Sequence, residues 1–167
     1  MIILAIKFLH NLSNCDDTLA LSRGIEAKNG IVDVHHAGTA MRFLTGFFAS
    51  KKNIELTLTG SKRMQERPIK ILVDTLRVIG ADISYVKNNG YPPLKINGKE
   101  LVLDSLSIDA NISSQYISAL MLIAPSLHKG LTITLKNKIT SVPYIKMTLE
   151  LLYRIGIGCT LNNNIIK

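Results

Sequence analysis

An internal repeat is the feature of this 167-residue sequence that most limits its possible folds. When the chain is compared with itself, Ile69 matches Ile145 and Gly80 matches Gly156, at an offset of 76 residues without a gap. In both copies a polar turn opens an apolar helix, a strand follows, a second polar turn opens a second helix, and a final strand leaves. Each copy therefore predicts a β-α-β-α-β-β unit or a close variant of it.

The repeat divides the chain into segments 1–34, 35–109 and 110–167, all expected to lie in one domain. The last two segments are the predicted second and third units. The first segment is interpreted as the remnant of a first unit, because residues 18–34 also show a helix, a turn and a strand with their preceding elements missing. A chain of this length can bury about two thirds of its unfolded surface, which suffices for one shared core.

Hydrophobic spacing and turn residues predict the individual elements. Helices are expected over residues 16–28, 40–50, 68–79, 113–123 and 142–155. Strands are expected over residues 10–13, 31–34, 54–59, 82–86, 94–96, 105–109, 131–135 and 159–162. The apolar stretch 1–9 lacks the basic leader and cleavage site of a signal peptide, so it is interpreted as a core segment that begins abruptly, with something missing upstream.

Four polar turns precede helices, at residues 36–39, 62–67, 113–115 and 141–144. A helix start presents free backbone N–H groups and a partial positive charge, so parallel helices in equivalent units would bring these starts together at one anion site. The net charge of +8 is explained by such a site. A nucleic-acid-binding surface is less well supported, because the aromatic residues, at 5%, are not interleaved with bases.

The segment 60–80 combines a basic turn, which carries Lys62, Arg63 and Arg67, with an amphipathic helix. An anion partner explains the cations at this helix start, while the alternative is a solvated basic turn before an ordinary packing helix. The predicted buried face of the helix consists of Ile71, Leu72, Thr75, Leu76 and Ile79.

Cys15 and Cys159 are far apart in the sequence, so a disulfide framework is not expected and a reducing, cytoplasmic setting is the default. Both are interpreted as buried, inert thiols. No His, Cys and Asp residues cluster at metal-ligand spacing. Four acidic residues are interpreted as helix caps and solvated turn residues: Asp16, Asp17, Asp104 and Asp109.

Five motifs, in this order, resemble the 3-phosphoshikimate 1-carboxyvinyltransferase (EPSP synthase) family. They are 36–42 (HAGTAMR), 58–60 with 64–69 (LTG, MQERPI), 91–94 (YPPL), 113–116 (SSQY) and 141–145 (SVPYI). The likeness runs from about Asn11 onward and covers only the N-terminal half of that enzyme. It implies an α/β fold of repeated βαβαββ units, the inside-out α/β barrel of the enolpyruvyl transferases, in which two domains of three units close on shikimate 3-phosphate and phosphoenolpyruvate. This chain would then be a truncated N-terminal domain without the C-terminal domain.

The resemblance also implies a role for each matching residue. Shikimate 3-phosphate would be bound by Ser113, Ser114, Gln115, Ser141 and Tyr144. Phosphoenolpyruvate would be bound by Arg67, Gly38, His36 and Gln115, with Thr39 in the same glycine-containing turn. No metal or organic cofactor is expected, and no catalytic residue is assigned within the chain.

Two departures from the family pattern qualify these expectations. His36 stands where the family commonly has Asn, and it either serves as a titratable donor or is an exposed turn histidine without a catalytic part. The Lys-Ser-x-Ser-x-x-Arg motif of the family is missing from residues 1–10. The expected activity is therefore shikimate-pathway enolpyruvyl transfer by addition and elimination, with this chain competent for binding at most. The alternatives are the related enolpyruvyl transferase that acts on UDP-N-acetylglucosamine, and a basic nucleic-acid-binding module.

Overall fold

The computed structural model describes residues 11–111 and 113–167, which form two four-stranded sheets and the helices that pack between and around them. The elements in the first half are α1 (Asp16–Gly24), β1 (Asn29–Asp33), α2 (Gly38–Ala49), β2 (Ile54–Thr59), α3 (Lys62–Gln65), α4 (Lys70–Val78), β3 (Asp82–Tyr85) and β4 (Leu94–Gly98). Those in the second half are β5 (Ser105–Asp109), α5 (Ser114–Ile123), a 3-10 turn (Ala124–Ser126), β6 (Thr132–Lys136), α6 (Val142–Arg154), β7 (Leu161–Asn162) and β8 (Ile165–Ile166).

The two sheets have the same topology. The strand order is β1-β2-β4-β3 in the first sheet and β5-β6-β8-β7 in the second. In each sheet the first two strands are parallel and joined by a helical crossover, while the remaining neighbours are antiparallel. The α/β architecture expected from the repeat is therefore present, as two βαβαββ arrangements in succession.

The strand register shows that the predicted constant offset of 76 residues is wrong at one place. In the first sheet Asn29 lies opposite Glu55, whereas in the second Ser105 lies opposite Thr132, which is one residue further along than the offset of 76 would place it. If β6 kept the offset of 76, its buried side chains would face solvent, because a one-residue shift turns every side chain of a strand to the opposite face. The second repeat therefore has one extra residue in the loop before β6. The buried residues of the two strands correspond accordingly: Ile54, Leu56 and Leu58 in β2, and Leu131, Ile133 and Leu135 at β6.

The offset of 76 is restored in the helices that follow. Ile69 and Ile145 are both buried at the starts of α4 and α6. Gly80 and Gly156 both have positive φ, at +108° and +81°, a conformation that favours glycine after a helix end.

The core forms where helix α2 packs on α5. Met41, Leu44 and Phe48 on α2 are fully buried, and burial of each such side chain stabilises the fold by about 1.5–3 kcal/mol. A Cβ at Gly46 would lie 3.4 Å from the Ala119 carbonyl oxygen, so the two helices approach closely at this point. This contact fixes the starts of α2 and α5 relative to one another.

The first helix ends earlier than expected. It was predicted to continue to residue 28, with Asn29 and Gly30 as its stop signal, but it ends at Gly24 and Ala27 N–H bonds the Gly24 carbonyl. Asn29 and Gly30 instead begin β1, where they pair with β2. Parallel pairing in the sheet therefore overrides the local preference of an Asn-Gly pair for a turn.

The helical segment after Gly60 is divided into two helices. Ser61 accepts a hydrogen bond from Met64 N–H and caps the short helix α3, while α4 begins at Lys70 and not at Pro68. The Pro68 carbonyl accepts hydrogen bonds from the side chains of Arg42 and Tyr116, which hold Pro68 in the turn between α3 and α4. The predicted buried face is wrong at one position, since Ile71 is 42% exposed while Val73 is buried; the other four members face the core.

Smaller differences occur at the two ends. The expected strand 159–162 contains only Leu161–Asn162, which pairs with an unpredicted strand Ile165–Ile166. Residues 11–13 are not in a strand, and the predictions for residues 1–10 lie outside the described residues.

Cys15 is exposed and Cys159 is half-buried, so the expectation of two buried thiols is wrong. Among the helices of the described ranges, none has the length and apolar character to span a membrane.

Candidate functional site

The start of α2 is the centre of the candidate site. Gly38 is buried as the first residue of this helix, and the Arg67 guanidinium lies over it, because a Cβ at Gly38 would be 2.5 Å from one guanidinium nitrogen. No hydrogen bond among residues 11–111 and 113–167 engages the Gly38 N–H. A helix-start N–H beside a guanidinium is a suitable pair of donors for a small anion.

Gln115 connects this helix start to the next repeat. Its side-chain Nε2 donates to the Thr39 hydroxyl across 3.2 Å, and its backbone N–H donates to Ser113 Oγ across 3.4 Å. Ser113 thereby caps α5, and the starts of α2 and α5 are neighbours. The predicted convergence of helix starts is present for these two helices.

An acidic residue from α1 caps α2. Asp17 Oδ1 accepts hydrogen bonds from Thr39 N–H at 3.0 Å and from Ala40 N–H at 3.4 Å. Asp17 was expected to cap its own helix, but the N-cap of α1 is Cys15 and the Asp17 carboxylate reaches across to α2 instead. The N-cap residue of α2 is Ala37, which has no side-chain oxygen that could accept a hydrogen bond from the helix start. Asp17 supplies this acceptor instead.

Arg42 provides a second positive charge, after Arg67, next to the start of α2. It is buried in α2, and its guanidinium donates to the Gly38 carbonyl at 3.1 Å and to the Pro68 carbonyl at 3.4 Å. Tyr116 Oη donates to the same Pro68 carbonyl at 2.8 Å. Burial lowers the pKa of Arg42; the nearby Tyr116 opposes this shift, while the charge of Arg67 adds to it. An arginine keeps its charge despite such a shift, so the helix start stays electropositive.

His36 lies at the edge of the site. Its Nδ1 is 2.8 Å from Ser61 Oγ, which also accepts from Met64 N–H. The side chain is exposed, and its ring meets that of His35 edge-on at 5.2 Å between centroids. The bond to Ser61 fixes the orientation of the ring beside the turn that leads into α2.

The remaining expected site residues occupy the starts of α5 and α6. Ser113 is exposed and Ser114 is half-buried at the start of α5, while Ser141 is the N-cap residue of α6 and Tyr144 is 59% exposed in its first turn. No hydrogen bond within the described ranges joins Ser141 or Tyr144 to Gln115. The structure thus places Arg67 against Gly38 and bonds Gln115 to the adjacent Thr39. Helix α6, which carries Tyr144 and has Ser141 as its N-cap, packs on α5 and is joined to it by the hydrogen bond between the Ser118 and Thr148 hydroxyls at 2.8 Å.

Sequence reasoning gave no site role to three residues of this cluster, Asp17, Arg42 and Tyr116, although the last two lie within the motifs 36–42 and 113–116. Arg42 offered a signal, because it is the single charged residue in the otherwise apolar helix α2. A cation in such a helix is costly unless carbonyls or acids surround it. Asp17 gave no local signal for its role, since its partners are 22 and 23 residues away in the sequence.

Comparison with known proteins gives one consistent family. Residues 5–165 match the family model described as EPSP synthase (3-phosphoshikimate 1-carboxyvinyltransferase). A 3-phosphoshikimate 1-carboxyvinyltransferase of Bacteroides fragilis (strain YCH46) is 49% identical over 148 residues, which are 89% of this chain and 36% of that protein. One of Shewanella piezotolerans is 45% identical over 128 residues, covering 77% of this chain and 30% of that protein.

Solved structures agree at the level of the fold. EPSP synthase from Acinetobacter baumannii superposes with a TM-score of 0.68 at 24% identity, over 82% of this chain and 30% of that one. Two sheets of repeated topology, with helix starts gathered beside Gly38, define a partial domain of the enolpyruvyl transferase fold. The chain belongs to the EPSP synthase family, and it spans about a third of the length of the curated relatives that it matches.

Proposed function

We propose that the chain serves the reaction of its family, transfer of the enolpyruvyl group of phosphoenolpyruvate to shikimate 3-phosphate, with release of phosphate by addition and elimination. Its own part is to bind substrate. The observation that carries this proposal is the contact of Gln115 with Thr39 next to the Gly38–Arg67 pair, because residues matched to the two substrates then lie side by side.

The chemistry of the donors supports binding of two anionic ligands. The guanidinium of Arg67 and the Gly38 N–H offer charge-assisted hydrogen bonds to a phosphate oxygen of phosphoenolpyruvate. Ser113, Ser114 and Ser141 at helix starts, with Tyr144 beside them, offer hydroxyl donors to the phosphate of shikimate 3-phosphate. Gln115 lies between the two sets, and His36 is assigned to the phosphoenolpyruvate side.

We further propose that turnover requires parts of the relatives' length that this chain does not span, including a second domain that closes over the substrates. Segments 35–109 and 110–167 serve as the main parts of the second and third units of the substrate-binding domain, each unit beginning one strand earlier, with β1 and β5. The rest of segment 1–34 serves as part of a first unit. Closure would exclude water and complete the cationic site around the reacting groups. A cytoplasmic location suits a biosynthetic enzyme with free thiols.

Two other functions are less well supported. The related enolpyruvyl transferase that acts on UDP-N-acetylglucosamine has the same fold, but the sequences at 91–94 and 113–115 match the shikimate 3-phosphate enzyme instead. A nucleic-acid-binding module would use phosphate contacts on a broad basic face. Here Lys52, Lys70 and Lys95 are paired with acidic residues on the surface.

Thermal unfolding with and without ligand tests the proposal. At a shikimate 3-phosphate concentration about 100 times Kd, binding stabilises the folded state by about 2.7 kcal/mol, which raises Tm by roughly 5–10 °C for a chain of this size. Shikimate without its phosphate should give a much smaller shift. Equal shifts for the two ligands, or no shift with either, would contradict the proposed function.

A further inference from the structure

We infer that Asp17 is a positioning residue that orients the Gln115 side chain through Thr39. Asp17 accepts from the Thr39 backbone N–H and Gln115 donates to the Thr39 hydroxyl, so Thr39 connects the two side chains through its own covalent structure. The three residues come from α1, α2 and α5, so this connection crosses two helix-helix contacts.

The first link fixes the helix start. Asp17 Oδ1 accepts from both Thr39 N–H and Ala40 N–H, two of the donors that a helix leaves free in its first turn. These bonds use a carboxylate, which is a stronger acceptor than a neutral oxygen. With both donors engaged, the Gly38 N–H has no partner among residues 11–111 and 113–167, so this donor of the helix start remains for a ligand.

The packing of α1 on α2 holds Asp17 in place. A Cβ at Gly24 would overlap the Leu44 side chain, so the end of α1 lies directly against α2. Asp17 is half-buried and lies about two helix turns before Gly24, at the other end of α1. Rotation of α1 that would withdraw the carboxylate is resisted by this close approach.

The second link sets the direction of the Gln115 amide. Because Nε2 of Gln115 donates to Thr39 Oγ1, its carbonyl Oε1 is directed away from that hydroxyl. No hydrogen bond among the described residues uses this Oε1, so it can accept from a ligand hydroxyl. Loss of the Asp17 bonds would release Thr39, and the amide of Gln115 would then lose its fixed partner. This inference rests on the proposed function only for its effect on ligand affinity.

Asp16 provides a matched control. It is the neighbouring residue in the first turn of α1, carries the same charge and is exposed. No hydrogen bond of its side chain joins α1 to α2 within the described residues. A general effect of removing an acid from this helix would therefore occur in Asp16→Ala, whereas a specific effect would occur only in Asp17→Ala.

The test is NMR of the Gln115 side-chain amide in the full chain without ligand, with the signal identified by its loss in Gln115→Ala. In Asp17→Ala we expect the two amide protons to move to the positions of a free glutamine, while Asp16→Ala leaves them unchanged. Asp17→Asn retains an oxygen acceptor without the charge, so the Gln115 signal should largely keep its native position, while the Thr39 and Ala40 amide signals should move because their acceptor has lost its charge. An unchanged Gln115 signal in Asp17→Ala overturns the inference; if that variant does not fold, unchanged Thr39 and Ala40 amide signals in Asp17→Asn overturn it.

Affinity for shikimate 3-phosphate provides a second readout, measured by calorimetry. Asp17→Ala should weaken binding about threefold to tenfold when Gln115 is present and should have no further effect in a Gln115→Ala background. A purely structural role would weaken binding equally in both backgrounds, which would contradict the inference. If the unmodified chain binds no shikimate 3-phosphate, the proposed function fails, and the NMR result still decides the role of Asp17.

Discussion

Gln115 donates its side-chain amide to the Thr39 hydroxyl, and the two residues occupy equivalent positions in the two repeats, 76 residues apart. The sequence repeat therefore has a direct structural counterpart at the candidate site. Equivalent helix starts meet there, so the second residues of α2 and α5 touch one another. The repeat brings together donors from distant parts of the sequence in one small volume.

Replacing Thr39 by Val tests this contact. Val keeps the branched shape of the side chain but cannot accept the Gln115 amide, and a lost hydrogen bond of this kind costs about 0.5–1.5 kcal/mol. We expect Thr39→Val to weaken shikimate 3-phosphate binding about twofold to tenfold in calorimetry. Thr45→Val is the control, because in the part of the chain that the structure describes the Thr45 hydroxyl bonds only the Met41 carbonyl of its own helix. Equal affinity loss in both variants would argue against a specific role for Thr39.

Arg67 is predicted to be the main phosphoenolpyruvate ligand in the basic turn. Lys retains the positive charge but lacks the guanidinium fork, so Arg67→Lys should weaken phosphoenolpyruvate binding about tenfold or more in calorimetry with shikimate 3-phosphate present. Arg63→Lys, an exposed change in the neighbouring helix α3, should stay within about twofold. An unchanged affinity in Arg67→Lys would exclude the assigned role.

A methyl group at Gly38 is predicted to displace the Arg67 guanidinium. The added Cβ would lie 2.5 Å from a guanidinium nitrogen, and the flexible arginine would move before the backbone does. We expect Gly38→Ala to reduce phosphoenolpyruvate affinity severalfold with little change in Tm. A Cβ at Gly158 meets nothing within 4 Å, so Gly158→Ala serves as the control. Unchanged affinity in Gly38→Ala would show that this close approach does not matter for binding.

The two thiols are predicted to differ in reactivity. Hydrogen bonds from Ser13 and then Thr18 lower the pKa of Cys15 to about 7, whereas burial raises the pKa of Cys159. Because the thiolate forms as the pH rises through the pKa, alkylation of Cys15 by iodoacetamide should be half-maximal near pH 7. Mass spectrometry of the labelled chain should show Cys159 reacting later at every pH. Thr18→Ala should move the Cys15 midpoint upward, and faster labelling of Cys159 would contradict the assignment.

Much of the fold could be predicted because its elements carry strong local patterns. The strands Ile54–Thr59 and Ser105–Asp109 have the bounds expected from the sequence, since alternation of buried and exposed residues extends to their ends. The hairpin of Leu161–Asn162 and Ile165–Ile166 was incompletely predicted, because two-residue strands are too short to show alternation. Asn29 and Gly30 were misassigned because pairing with β2 decides their conformation, and that partner is remote in sequence.

The candidate site could be predicted only in part, for a related reason. Motifs at helix starts pointed to Gly38, Arg67 and Gln115, since free N–H groups and cations are visible in a sequence. The roles of Asp17 and Arg42 depend on which helices touch, and tertiary contact alone supplies that information. Even the repeat, which placed Thr39 and Gln115 in equivalent positions, could not show that they bond to each other.

The central claim is that shikimate 3-phosphate binds to the starts of α5 and α6, beside the start of α2. NMR titration of the isotope-labelled chain with shikimate 3-phosphate tests it most directly. We predict saturable shifts of the backbone amides of Ser114, Gln115 and Tyr144 with a common Kd, and little change in Asp82–Tyr85, the edge strand of the first sheet. No shift at these helix starts, or saturable shifts confined to other surfaces, would contradict the account.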